Sequence, residues 1–257
     1  MNHEKIESAD LKKRLKTMKA VCLDIFGTSV DLMGPIKSEV EEIAASLDKS
    51  VDGAKFAREW ISQYGPYMKE ARNYDPPWRA LFYLHEKVVR SLLPSFGLDN
   101  VPGDKELKLG HTWERLTFWP DVKPGLIELR NKGLLICPFS NGDHDMLREI
   151  GRFNGFEWDD IFSAQRAKAF KQNPQIWSMP PEILGIPSQQ IMFISTTPSD
   201  LKQAHQHGYF TVFVPRDESG MGVLSRLDEG QTVDLIVPNF IELAHLFPEN
   251  SFFNNTY

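Results

Sequence analysis

The chain has 257 residues, 41% of them hydrophobic, and a formal net charge of -6. That is enough apolar material for one large domain or for a core with an inserted one. A mildly acidic balance, with Lys and Arg scattered along the chain, argues against nucleic acid or an anionic membrane as the main partner. No run of about 18 apolar residues occurs, and residues 1–19 lack the apolar stretch of a signal peptide, so a soluble, cytoplasmic protein is expected.

In chain order, the first structured element is a continuous apolar run at 20–23, the pattern of a strand covered on both faces of a parallel sheet. Residues 34–119 hold no good strand run and predict consecutive amphipathic helices at 36–47, 53–72, 77–93 and 104–115. Strands at 134–139, 191–195, 210–214 and 234–237 then alternate with helices at 124–132, 145–153, 174–184, 199–207 and 241–247, and 218–232 reads as a surface loop. This alternation predicts an α/β fold, a doubly wound parallel-sheet (Rossmann-like) core made of 1–33 and 120–257, with an all-helical insert at 34–119. Cys22 and Cys137, the two cysteines, each lie inside a strand run and read as buried free thiols.

Parallel strands deliver their carboxyl ends to one edge, so the residues following each apolar run are the candidates for chemistry. Asp24 leaves the first strand into Ile25-Phe26-Gly27-Thr28, a turn that displays a carboxylate. The second strand runs into Ser140-Asn141-Gly142, whose hydroxyl and backbone amides can hold an oxyanion. The third ends at Ser195-Thr196-Thr197-Pro198-Ser199-Asp200.

In this order, from residue 24 to residue 200, these segments resemble the motifs of the haloacid dehalogenase superfamily, with Lys171 at the position of its motif lysine. Phe26 resembles the L-2-haloacid dehalogenase branch, because superfamily phosphatases carry a second aspartate there as general acid. The resemblance implies a helical cap over the site, Asp24 as nucleophile, Lys171 holding it ionised, and Lys171 with Asp200 activating a water that splits an aspartyl ester. Thr28, Ser140, Asn141, Ser195 and Thr197 complete the implied catalytic set, and Phe26, Trp60, Ile61, Tyr64 and Trp177 the substrate-binding set. A magnesium cage of the phosphatase kind would use Asp24, the Phe26 carbonyl and Asp200. With no proton donor at residue 26, neither a metal nor any other cofactor is expected. Family members commonly pair through the cap, so a homodimer acting on a small organic substrate is expected.

Four positions depart from the branch. Ile61 replaces the cap arginine that helps receive the halide, Thr197 replaces an asparagine, Trp177 a tyrosine and Gln172 the proline after the lysine. Losing a guanidinium removes a charge-assisted donor worth on the order of a few kcal/mol to a leaving anion in a dry site. Beside haloacid hydrolysis stand two other readings: a repurposed enzyme acting on a bulky organic substrate without dehalogenation, and a non-catalytic binding protein.

Overall fold

The computed structural model describes residues 8–216 and 226–248; most of the loop expected at 218–232 lies outside them. Helix α1 (Ser8–Leu15), which sequence patterning did not anticipate, precedes β1 (Ala20–Leu23). The insert follows as α2 (Met33–Ala45), α3 (Gly53–Ser62), α4 (Tyr64–Ala71), α5 (Leu81–Ser95) and α6 (Gly103–Gly110), ending in a 3-10 turn at His111–Glu114. Next come α7 (Val122–Asn131), β2 (Leu135–Ser140), α8 (His144–Phe153), β3 (Phe162–Ser163) and α9 (Ala164–Ala167). The chain closes with α10 (Met179–Leu184), β4 (Ile191–Ser195), α11 (Pro198–Gln206), β5 (Phe210–Phe213), β6 (Leu235–Ile236) and α12 (Phe240–His245).

Among the described residues the strands form one parallel sheet in the order β3-β2-β1-β4-β5-β6. Side chains alternate between its faces. Val21 and Leu23 enter one core with Ile136, Met192 and Ile194, while Ala20 and Cys22 enter the other with Cys137, Phe139 and Phe193. Both faces being covered explains the unbroken apolar runs in the strands. Cys22 and Cys137 face each other in register between β1 and β2; both are free, and burial raises their thiol pKa values, that of Cys137 to about 12.

Several elements differ from their sequence-based bounds for local reasons. The helix expected over 53–72 breaks at Gln63, because Pro66 has no N–H to give to the preceding turn. The helix expected from 77 begins only at Leu81, after Pro76 and Pro77, and that expected over 174–184 opens as a 3-10 turn at Pro174–Ser178 before becoming α10. Strand β3 has two residues, too few to carry a period.

The sheet order reverses direction at β1: the chain leaves it through the insert toward β2 and β3, and β4 to β6 are laid on its other side. Open α/β sheets bind ligands at such a switch point, beyond the carboxyl ends of the strands. Asp24 stands at that point. The insert shares one continuous hydrophobic cluster with the Val21 face of the sheet, so helices α2 to α6 pack directly onto the core beside the switch point.

Candidate active site

Asp24 is the first residue beyond β1, with its N–H bonded to the Ile194 carbonyl at 2.9 Å and Gly27 turning the chain at φ 78. A φ in that region is strained for any side chain, which is why the Asp-x-x-Gly-Thr turn needs glycine at this position. The turn brings Thr28 back beneath Asp24. Its hydroxyl donates to Asp24 Oδ2 at 2.8 Å and accepts from the Thr196 N–H at 3.0 Å, while the Ser29 hydroxyl donates to the Asp24 carbonyl at 2.6 Å.

The other oxygen, Asp24 Oδ1, accepts from Lys171 Nζ at 2.6 Å, and the same ammonium bonds Asp200 Oδ2. Asp24, Lys171 and Asp200 are all buried, in an order that brings together residues 147 and 29 positions apart. Burial pulls the Lys171 pKa down, but the charges of Asp200 and Asp24 pull it up further, and the net shift is upward: the ammonium is kept. Asp200 is raised, by burial first and then by Asp24, since one cation cannot neutralise two buried carboxylates.

Loop 140–143, after β2, ties this triad to the insert. Asn141 Oδ1 accepts from the Lys171 N–H at 2.7 Å, and its side chain pulls the Tyr64 hydroxyl pKa down, against the larger upward push of burial. Asp143 Oδ2 accepts from the Phe82 N–H at 3.0 Å, capping α5, a helix whose own preceding residue, Ala80, supplies no side-chain cap. Ser140 is fully buried at the strand end, and Ser195 Oγ accepts from the Thr197 N–H at 3.0 Å, shaping the loop that leads to Asp200.

On the insert side, Phe26 meets Tyr64 and Trp113 edge to face, with ring centres 6.0 and 5.2 Å apart, and Tyr64 stacks on Trp113. Phe26 and Tyr64 are thus brought together beside the Asp24 turn. Two others expected with them lie elsewhere. Trp60 lies one layer back, packed against Phe56, His85 and Trp113, with its Nε1–H given to His85 Nδ1 at 3.3 Å. Trp177 is enclosed by Phe139, Phe193 and Tyr209 in the opposite core, and its Nε1–H goes to the Lys171 carbonyl at 3.0 Å. It holds the lysine's backbone rather than a substrate. Ile61 is buried in the apolar cluster of the insert.

Three groups to which the motifs gave no role also shape the site. Arg216 donates to the Thr28 carbonyl at 3.0 Å and makes a two-pronged bond to Asp121 at 2.8 and 3.0 Å, joining the Asp24 turn to the start of α7. Asp121 titrates below the usual carboxylate range: burial alone would raise it, and the Arg216 and Phe240 bonds outweigh that. Thr196 supplies the N–H that fixes Thr28. His85 sits among Leu81, Leu84, Val88 and Val89 on the apolar stripe of α5, and that spacing was the signal that it is internal.

The model of haloacid dehalogenase-like hydrolases matches residues 18–208. The chain belongs to that family. It is a hydrolase fold with a helical insert between β1 and β2, and its relatives are consistent in kind. It is 28% identical to haloacetate dehalogenase H-2 of Moraxella sp. (strain B) over 142 residues, 54% of this chain and 61% of that protein, so this match spans less than two thirds of the relative. It is 23% identical to (S)-2-haloacid dehalogenase 4A of Burkholderia cepacia, covering 78% of this chain and 84% of that one. Among solved structures, an L-2-haloacid dehalogenase superposes with TM-score 0.81 at 28% identity over 89% of this chain and 97% of its own. A defluorinating L-2-haloacid dehalogenase does so with TM-score 0.79 at 28% identity, over 89% and 94%. Among the described residues no helix is long and apolar enough to cross a membrane.

Proposed function

We propose that the protein hydrolyses the carbon–halogen bond of a 2-halo acid, with Asp24 as nucleophile and residues 34–119 as a cap over the site. The observation that carries this reading is the Asp24 carboxylate, gripped by Lys171 Nζ at 2.6 Å and Thr28 Oγ1 at 2.8 Å beside a phenylalanine at residue 26. An Asp24 oxygen attacks the halogen-bearing carbon, a C–O bond forms, and the C–halogen bond breaks with its electron pair leaving on the halide. Halides are weak bases, so no proton donor is needed at residue 26, whereas an alkoxide would need one.

Water then attacks the carbonyl carbon of the aspartyl ester. The acyl C–O bond breaks, the 2-hydroxy acid leaves, and one proton is released as the Asp24 carboxylate is restored. Asp200, whose raised pKa suits a base, and the Lys171 ammonium are placed to orient that water. Ser140, Asn141 and the backbone amides of their turn are the groups for the substrate carboxylate. The aromatic wall of Phe26, Tyr64 and Trp113 favours an acid with an apolar substituent over the shortest haloacids. Such a small organic acid is a substrate met in the cytoplasm.

The test is a single turnover in heavy-oxygen water with a panel of 2-halo acids, short and aromatic. Label in Asp24 and not in the first product, together with halide release lost in Asp24→Asn, supports the reading. Turnover of a bulky acid that needs Asp24 but releases no halide would favour the repurposed enzyme instead.

A further inference from the structure

The insert carries three buried N–H donors that no group among the described residues accepts, Trp78 Nε1, His85 Nε2 and Trp113 Nε1, and the last two lie on adjoining rings. That His85 Nε2 is a donor follows from its tautomer. Indole nitrogen only donates, so the bond from Trp60 Nε1 makes His85 Nδ1 the acceptor. Burial holds the ring neutral, with its pKa lowered to about 3, and a neutral ring with an accepting Nδ1 carries its proton on Nε2. Among the described residues His85 Nε2 has no hydrogen-bond partner, and neither has Trp113 Nε1, on the ring stacked against it with centres 4.1 Å apart. Both residues are 1% exposed. Buried donors are ordinarily paired, and two unpaired ones on adjoining rings point to an acceptor that comes from outside the chain.

Their position identifies that acceptor. Trp113 touches Phe26, two residues from Asp24, and lies on the insert side of the sheet edge. Displacement in line sends the leaving group away from the attacking oxygen, outward from the edge and toward the insert. The charges agree with this direction. Before attack, Asp24, Asp200 and Lys171 sum to one negative charge. Once Asp24 is an ester, Lys171 and Asp200 cancel, and the negative charge has moved onto the leaving group. An anion entering an aromatic, water-poor region needs donors there, and Ile61 offers none. The two rings are stacked with centres 4.1 Å apart, so both N–H groups belong to one stack on the insert side of the sheet edge.

We propose that the His85 Nε2–H and Trp113 Nε1–H groups form the receiving site for the leaving halide, a neutral two-donor site in place of a cationic one. This rests on the carbon–halogen reading above. The probe is sodium bromide soaked into crystals of wild type, Asp24→Asn and the double variant Asp24→Asn with Trp113→Phe, with bromide located by its anomalous scattering. Asn stands in for the uncharged ester. Bromide is expected against His85 Nε2 and Trp113 Nε1 in Asp24→Asn, at lower occupancy in wild type, and absent once Trp113 is Phe.

In parallel, Trp113→Phe in otherwise wild-type enzyme should lower kcat about tenfold to a hundredfold on 2-chloro acids and less on 2-iodo acids, because the poorer leaving group depends more on its donors. Bromide lodged instead at Lys171, or equal losses for chloride and iodide, overturns the proposal. Wild-type halide release with no bromide at the pair removes this site and leaves the dehalogenase reading intact. Bromide at the pair without halide release from any 2-halo acid keeps the anion site and removes the dehalogenase reading.

Discussion

Acidification from about pH 7 to about pH 5 should cost the folded state about 2 kcal/mol through His85 alone. The ring titrates near 6.5 when free and about 3 in the fold, with burial as the cause. A depressed folded value means that its contribution is present in full above 6.5 and is lost as pH falls toward 3, because the unfolded chain takes up a proton that the native imidazole refuses. At about pH 5 the unfolded ring is almost wholly protonated and its contribution against folding is about 2.1 kcal/mol; at about pH 7 it is about 0.2 kcal/mol.

The assay is urea unfolding of wild type and His85→Phe across this range, the phenyl ring keeping the stack on Trp113. Asp143 and Asp200, raised chiefly by burial, act in the opposite direction, but they are common to both proteins and cancel in the difference. Wild type should lose about 2 kcal/mol more than the variant between the two pH values. Parallel curves would mean that His85 is hydrated or charged in the fold, and the Nε2–H assignment would fall with them.

Lys171→Met should abolish turnover and, by leaving two buried carboxylates without their cation, cost about 3–5 kcal/mol at neutral pH, as read by urea unfolding. Because the folded pKa of Lys171 is raised, its stabilisation is present below 10.5 and lost as pH rises through the folded value, so wild type should show an alkaline loss of stability that the variant lacks. Gly125→Ala places a Cβ 2.6 Å from the backbone of Phe240, where α7 packs on α12, and should lower stability by about 1–3 kcal/mol without altering kcat. Asp143→Ala removes the acceptor for the start of α5; amide exchange at Phe82 should accelerate about fivefold to tenfold, corresponding to about 1 kcal/mol, while exchange in β1 stays unchanged.

The chain by itself determined the parallel sheet and the edge at which its candidate residues emerge. Continuous apolar runs such as Ile191 to Ser195 form strands only when both faces are covered, and the residue after such a run must emerge at the carboxyl edge. Asp24 and the segment leading to Asp200 were therefore legible at one edge, and Lys171 was placed beside them only by the resemblance to the haloacid dehalogenase superfamily. Tertiary structure alone decided what surrounds them. Trp60 and Trp177 occupy motif positions, yet a ring's direction depends on which helix face meets which core, and both rings turned inward to hold His85 and the Lys171 backbone. No motif assigned His85 a role; its tautomer, with the proton on Nε2, exists only because a tryptophan 25 residues earlier reaches its Nδ1. Asp143 and Arg216 act on segments 61 and 188 residues away. Periodicity carries which face of an element is apolar, but hydrogen bonds between distant loops are set by how those faces are finally packed.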